Sequence, residues 1–92
     1  MGVNVKIPAQ MRPWTGGQAV VTVDDAGTIQ ELLDKIGQAH PELSARLLDD
    51  NGEIRRFINI YVGDEDVRFL DGLNTSLDAK SQVSILPAVA GG

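Results

Sequence analysis

The chain contains no cysteine. Disulfides, thiolate zinc sites and a cysteine nucleophile are thereby excluded, and compartment cannot be read from that absence alone. It has one histidine, His40. No oriented acid–base partner stands beside it in the sequence, so it reads as a histidine at a helix end near carbonyl groups rather than as a catalytic base. Cations are few: 8 Lys and Arg stand against 13 Asp and Glu, for a net charge of −5. Binding a phosphate backbone needs clustered cations, so no nucleic-acid partner is expected; the balance suits a partner with a basic groove, and a plain solubility setting is the simpler reading of it. Long apolar runs are missing too. No stretch approaches the length that spans a bilayer, and Met1 to Ile7 has no apolar signal-peptide core. A cytoplasmic protein without membrane contact is the expectation. There is no internal repeat, linker or low-complexity segment. The 92 residues, 42% of them hydrophobic, suffice for one domain with one small core.

What is present is patterned. Val3, Val5 and Ile7 alternate with Asn4 and Lys6, the period of a half-buried strand, and Pro8 ends it. Arg12-Pro13-Trp14-Thr15-Gly16-Gly17 is rich in turn formers and reads as a hairpin loop, with Trp14 as a packed lid. Gln18 to Val23 supplies the returning strand. Thr28 with Glu31 three residues on is a capping box, each side chain satisfying the other's free backbone N–H. Ile29, Leu32, Leu33 and Ile36 then recur at helical spacing. Gly37 weakens the helix end, and Pro41 closes it and opens a short second helical turn carrying Leu43, Leu47 and Leu48.

After a turn cluster at Asp49-Asp50-Asn51-Gly52, Arg56 to Val62 reads as the central strand. Ile58, Ile60 and Val62 share its core face, and Phe57, Asn59 and Tyr61 the other. Gly63-Asp64 turns the chain, Val67 to Phe69 makes a short strand, and Leu73 and Leu77 pin the following loop. Gln82 to Leu86 closes the sheet with Val83 and Ile85 inward. Hairpin, helix, strand, short strand, strand is the order of an α+β β-grasp, the ubiquitin-like fold: a mixed sheet of four to five strands with one main helix across one face.

Residues 1–86 form that domain, and residues 87–92 follow as an extended tail. Pro87, Ala88, Val89, Ala90 and Gly91 would carry Gly92 outward on a thin stalk reaching about 20 Å, stiffened at its base by proline. Glycine has no Cβ, so such a stalk fits a narrow enzyme tunnel. A frayed terminus is the plainer reading of the same residues.

The β-grasp order together with Gly91-Gly92 resembles the bacterial ubiquitin-like sulfur carriers of the MoaD/ThiS family. Within it the likeness is greatest to carriers of the actinobacterial cysteine-synthesis route. Arg12-Pro13 with Thr15-Gly16-Gly17 carries it, as do Arg56-Phe57, Asn59-Ile60-Tyr61-Val62, Asp64-Glu65-Asp66-Val67-Arg68-Phe69 and, most specifically, Ile85-Leu86-Pro87-Ala88-Val89-Ala90-Gly91-Gly92. The helical segment matches least, and Trp14 departs from the pattern.

The resemblance implies a protein that is no enzyme itself but a substrate of its partners. An adenylating, E1-like activating enzyme would join the Gly92 carboxylate to AMP, using ATP and magnesium. Sulfide, or a persulfide on a sulfurtransferase, would displace AMP to leave a thiocarboxylate. In the cysteine route a pyridoxal-phosphate-dependent synthase accepts that sulfur, and a zinc metallopeptidase releases the cysteine formed on the tail. The lack of cysteine would also keep the activated acyl group from self-capture. No metal or cofactor is bound by the carrier.

Phe57 and Tyr61, with Arg68 and Leu86, are the candidate docking residues beside the tail. Phe57 and Tyr61 can instead be covered by loop residues, and Arg68 can pair with nearby acids. Asp64-Glu65-Asp66 lacks the ligand spacing of a calcium loop and reads as a solvated turn. Three other functions share the fold: the small subunit of molybdopterin synthase, a thiamine-type sulfur carrier, and a ubiquitin-like protein modifier. A plain interaction domain using the Phe57 and Tyr61 face is a fourth alternative.

Overall fold

A computed structural model describes residues 2–87. The period-two segment forms β1, Gly2–Lys6, with Val3 and Val5 turned to the core. It pairs antiparallel with β2, Val20–Asp24, setting Val5 opposite Val21 and Lys6 opposite Val20. The expected open loop between them is a seven-residue 3-10 helix, Ala9–Thr15. Buried Met11 draws this segment onto the core. The buried Thr15 hydroxyl lies 3.1 and 2.9 Å from the carbonyls of Arg12 and Gln18. Gly16, at φ 67°, makes the left-handed exit that a side chain would resist. These contacts hold the chain back, so β2 starts with the β-branched run at Val20, two residues later than the expected Gln18.

The helix α1, Ile29–Ala39, buries Ile29, Leu32, Leu33 and Ile36. The Thr28 hydroxyl accepts from the Glu31 N–H at 3.2 Å, as a cap should. The reciprocal half differs, because Glu31 Oε1 accepts from the Gly27 N–H at 2.8 Å rather than from Thr28. Thr28 forms an isolated bridge with Ser76, with Ile29 N–H bonded to the Thr75 carbonyl and Leu77 N–H to that of Gly27. That bridge fixes the backbone just ahead of the helix and leaves the Gly27 N–H as the donor within reach. The second helix, α2, Pro41–Leu47, starts on its proline and buries Leu43 and Leu47. A Cβ at Gly37 would lie 3.1 Å from Ser44 Oγ, so this glycine marks the close approach of the two helices.

Three strands complete the sheet: β3, Ile58–Val62; β4, Glu65–Asp66; and β5, Gln82–Pro87. Their order is β2-β1-β5-β3-β4, with β5 parallel to β1 and antiparallel to β3. The middle strand is therefore β5, not the segment from Arg56 to Val62. Arg56 and Phe57 stand outside β3 in a turn closed by Ile58 N–H on the Arg55 carbonyl at 3.0 Å. The short strand is also displaced. Glu65 and Asp66 pair with Val62 and Tyr61, while Val67–Phe69 is a 3-10 turn. The Asp66 carboxylate accepts from the Arg68 N–H at 2.8 Å, and this local bond curls the chain out of the ladder. The acidic triplet is thus an exposed turn at Asp64, an exposed strand residue at Glu65, and a strand end and cap at Asp66.

One face of the sheet meets both helices. Val3, Val5, Ile60, Val83 and Ile85 meet Ile29, Leu32 and Ile36 there, and Val67 and Leu77 close the margin. The architecture is the expected β-grasp, with two helices on the covered face. Among the described residues no buried side-chain polar atom lacks a partner.

Candidate functional site

The expected tail leaves from β5, and the two neighbours of that strand release it at different points. β1 pairs with it only as far as Lys6 opposite Ser84, whereas β3 stays paired to Pro87, opposite Ile58. Gly63 N–H bonds to the Gln82 carbonyl at 2.8 Å. The alternation of an antiparallel ladder then makes Asn59 and Leu86 a hydrogen-bonded pair, and Ile58 and Pro87 a non-bonded one. A proline without an N–H costs that ladder nothing. Pro87, expected as the first residue of the tail, is the last residue of the strand. Ala88, Val89, Ala90, Gly91 and Gly92 lie outside the described residues.

The register lays out the uncovered face of the sheet. Val20, Lys6, Ser84, Tyr61 and Asp66 form one cross-strand row, and Leu86 and Asn59 lie in the next row toward the end of β5. Leu86 is 47% and Phe57 53% exposed, while Tyr61 is half-buried. Leu86 and Tyr61 are diagonal neighbours on this face, within reach of one another. Phe57 flanks them from the turn into β3, where the Arg56 guanidinium lies 5.7 Å from its ring.

Arg68 does not share the character of these three. Its guanidinium donates to Asn59 Oδ1 at 2.8 Å, to the Arg55 carbonyl at 3.0 Å and to the Ile58 carbonyl at 2.7 Å. It also pairs with Asp66 at 3.6 Å. The local pairing with an acid that the sequence left open is present, and the side chain is 39% exposed. The residue beside it was not singled out by the pattern. Phe69 is 85% exposed and Leu70 41%, because the 3-10 turn rotates them off the sheet edge. The Asp66-x-Arg68 spacing, which favours such a turn, was the available signal.

Two other singled-out residues resolve simply. His40 joins α1 to α2, its N–H bonded to the Ile36 carbonyl at 2.6 Å. Trp14 is half-buried against the core, with the Arg46 guanidinium 4.5 Å above its ring. Among the described residues there is no group of three or more His, Asp or Glu side chains placed to hold a metal ion. No helix there is long and apolar enough to cross a membrane.

Charge is distributed unevenly along the strand axis. The arginines follow the end of β1, close α2, precede β3 or bond to its start, so all gather where β5 finishes. Asp24, Asp64, Glu65 and Asp78 fall at the other end, whereas Glu42, Asp49, Asp50 and Glu53 lie on α2 and the loop after it, with the arginines.

The sheet is centred on β5, one of its faces is covered by the helices, and the sequence continues past Pro87. The ThiS family model matches residues 5–92. The chain belongs to the ThiS family. It is 45% identical to the sulfur carrier protein CysO of Mycobacterium tuberculosis, over 100% of both chains. The crystal structure of that protein superposes with a TM-score of 0.85, at 43% identity, over 95% of this chain and 99% of the other. The CysO of a BexX/CysO complex from Amycolatopsis orientalis gives a TM-score of 0.88 at 42% identity, covering 98% and 99%. Small archaeal modifier protein 3 of Haloferax volcanii is 32% identical, again over 100% of both chains.

Proposed function

We propose that this chain is a sulfur carrier whose Gly92 carboxylate is activated and converted to a thiocarboxylate. The observation that carries the reading is the end-to-end match to CysO, in which residue 92 falls within the matched span. A free carboxylate is a resonance-stabilised anion and a poor electrophile. Attack of its oxygen on the α-phosphorus of ATP, with magnesium held by the activating enzyme, expels pyrophosphate and gives a mixed anhydride. Sulfide, or a sulfurtransferase persulfide with a reductant, then displaces AMP. One oxygen has been exchanged for sulfur, and the product is a soft anionic nucleophile attached to a protein.

The domain's part is to hold β5 between two partners and leave an uncovered face for recognition. Leu86, Tyr61 and Phe57 supply apolar area for the activating enzyme there, while residues 88–92 enter its site. In the same reading a pyridoxal-phosphate-dependent cysteine synthase accepts the sulfur, and a zinc metallopeptidase frees the product. Incubation with activating enzyme, ATP, magnesium and a sulfur source should shift the intact mass by one oxygen-to-sulfur exchange. Removal of Gly92 should abolish the shift and leave the thermal midpoint unchanged. No exchange with an enzyme that thiolates a related carrier sinks the reading. The match to an archaeal modifier favours one second reading, conjugation to lysines, which would appear as isopeptide-linked species that survive reducing denaturation.

A further inference from the structure

The chain is acidic overall, yet one groove is not. Glu42, Ala45, Arg46 and Arg55 line a cleft along α2, and Arg46, Arg55, Arg56 and Phe57 line its continuation toward the start of β3. Each of the three guanidiniums is held in place by something other than a carboxylate. Arg46 stacks 4.5 Å over Trp14, Arg55 donates its Nε to the Ala45 carbonyl at 3.1 Å, and Arg56 lies beside the Phe57 ring. Glu42 and Asp49 border the same cleft. Even so, among the described residues the one ion pair within 4.0 Å is Arg68 with Asp66.

We infer that this groove is a docking site for a carboxylate-rich segment of the enzyme that processes the tail. Stacking fixes the plane of a guanidinium while leaving its N–H edges outward, the arrangement that meets a carboxylate with two parallel hydrogen bonds. Two such forks, Arg46 and Arg56, flank the Arg55 guanidinium, whose Nε is taken by the Ala45 carbonyl, in one cleft next to Phe57 at the end of the sheet where β5 finishes. A long polyanionic nucleic acid is a poor fit, since the net charge of −5 repels each of its many phosphates at long range. A short acidic protein segment brings fewer charges into that field and meets the arginines at contact distance. The choice of a tail-processing enzyme as the bearer rests on the carrier reading, whereas the carboxylate-binding groove does not.

The test uses fluorescein-labelled hexaglutamate as probe and hexaglutamine as control, followed by anisotropy at low salt. Trp14, the only tryptophan, lies under Arg46 and reports occupancy through its own emission. Hexaglutamate should bind saturably, quench or shift Trp14 emission, and weaken as salt rises; hexaglutamine should do none of these. The Arg46→Gln/Arg56→Gln double variant should bind about tenfold more weakly, since each exposed pair contributes a factor of a few. Arg56→Glu, which removes no hydrogen bond, gives the same direction where the double variant folds poorly. Equal binding by these variants, or none by the parent chain, overturns the proposal. Displacement of the probe by oligodeoxythymidine at lower concentration than by unlabelled hexaglutamate overturns the protein partner. With the activating enzyme, Arg56→Glu should raise KM and spare kcat. If the parent chain accepts no sulfur at all, the carrier reading fails while the peptide titration stands.

Discussion

Replacing Arg68 with alanine should destabilise the domain by about 2 kcal/mol. β4 covers β3 only at Tyr61 and Val62. Ile58 is in a non-bonded pair with Pro87, so its carbonyl points away from β5 toward the edge that β4 leaves bare. The Arg68 guanidinium fills that gap, reaching the Ile58 and Arg55 carbonyls at 2.7 and 3.0 Å and Asn59 Oδ1 at 2.8 Å. It thus ties the turn before β3 to the turn after β4.

Bonds from a charged donor contribute about 1.5–3 kcal/mol when shielded. The Arg68 side chain is 39% exposed, so water replaces much of each bond once it is gone. A residual of about 0.5–1 kcal/mol for each of three bonds is reasonable, and the exposed pair with Asp66 adds less than about 0.5 kcal/mol. Lysine keeps the charge but reaches one acceptor at a time, so Arg68→Lys should cost about 1 kcal/mol. Urea unfolding followed by far-UV circular dichroism measures both, with an unchanged denaturant slope as the two-state check. For a domain of this size, 2 kcal/mol lowers the thermal midpoint by about 8–16 °C. A loss under about 0.5 kcal/mol for Arg68→Ala refutes the clamp. That outcome combined with lost enzyme binding would return Arg68 to the docking face.

Thr28→Ala removes the hydroxyl that caps α1 and should cost about 1 kcal/mol in the same urea titration. Phe57→Ser and Leu86→Ser remove apolar area that is half exposed already, so they should shift the unfolding midpoint little. In the thiocarboxylate assay each should raise KM for the activating enzyme several-fold, and an unchanged KM for both removes the uncovered face from recognition.

The elements legible in sequence are those whose signal is local and periodic. β1 shows alternation, α1 shows four apolar residues on one face after a Thr cap, and β5 shows Val83 and Ile85 inward. Strand order is a different kind of fact. The run at β3 is as apolar as that at β5, and only long-range pairing decides which lies in the middle. β4 has two residues and therefore no period to read. The hairpin loop contained the right turn formers, but burial of Met11 and Thr15 made it helical. At the candidate site, the outward placing of Leu86 followed from face alternation, whereas Phe57 is exposed in the turn before β3. The arginine groove was invisible because residues 14, 46, 55 and 56 meet only after α2 packs on the 3-10 segment. Net charge averages such a cluster away: it pointed to a basic partner surface, and the structure places a basic surface on this chain itself.

The asymmetric release of β5 explains why these features crowd one end. Past Ser84 the strand has β3 on one side only, so Leu86 and Pro87 lean on the segment 55–59 rather than on β1. That segment is held by Arg68 on its outer edge and by Arg55 on α2. Leu86, Phe57 and the Arg46–Arg55–Arg56 groove lie together at that end of β3. Tension on the tail loads the Asn59 and Leu86 pair first, and the ladder back to Gly63 and Gln82 resists in shear rather than by unzipping one bond at a time. In the proposed carrier, a central strand would let a domain with a small core offer its terminus to an enzyme without unfolding, where an edge strand, paired on one side only, would be held by half the ladder.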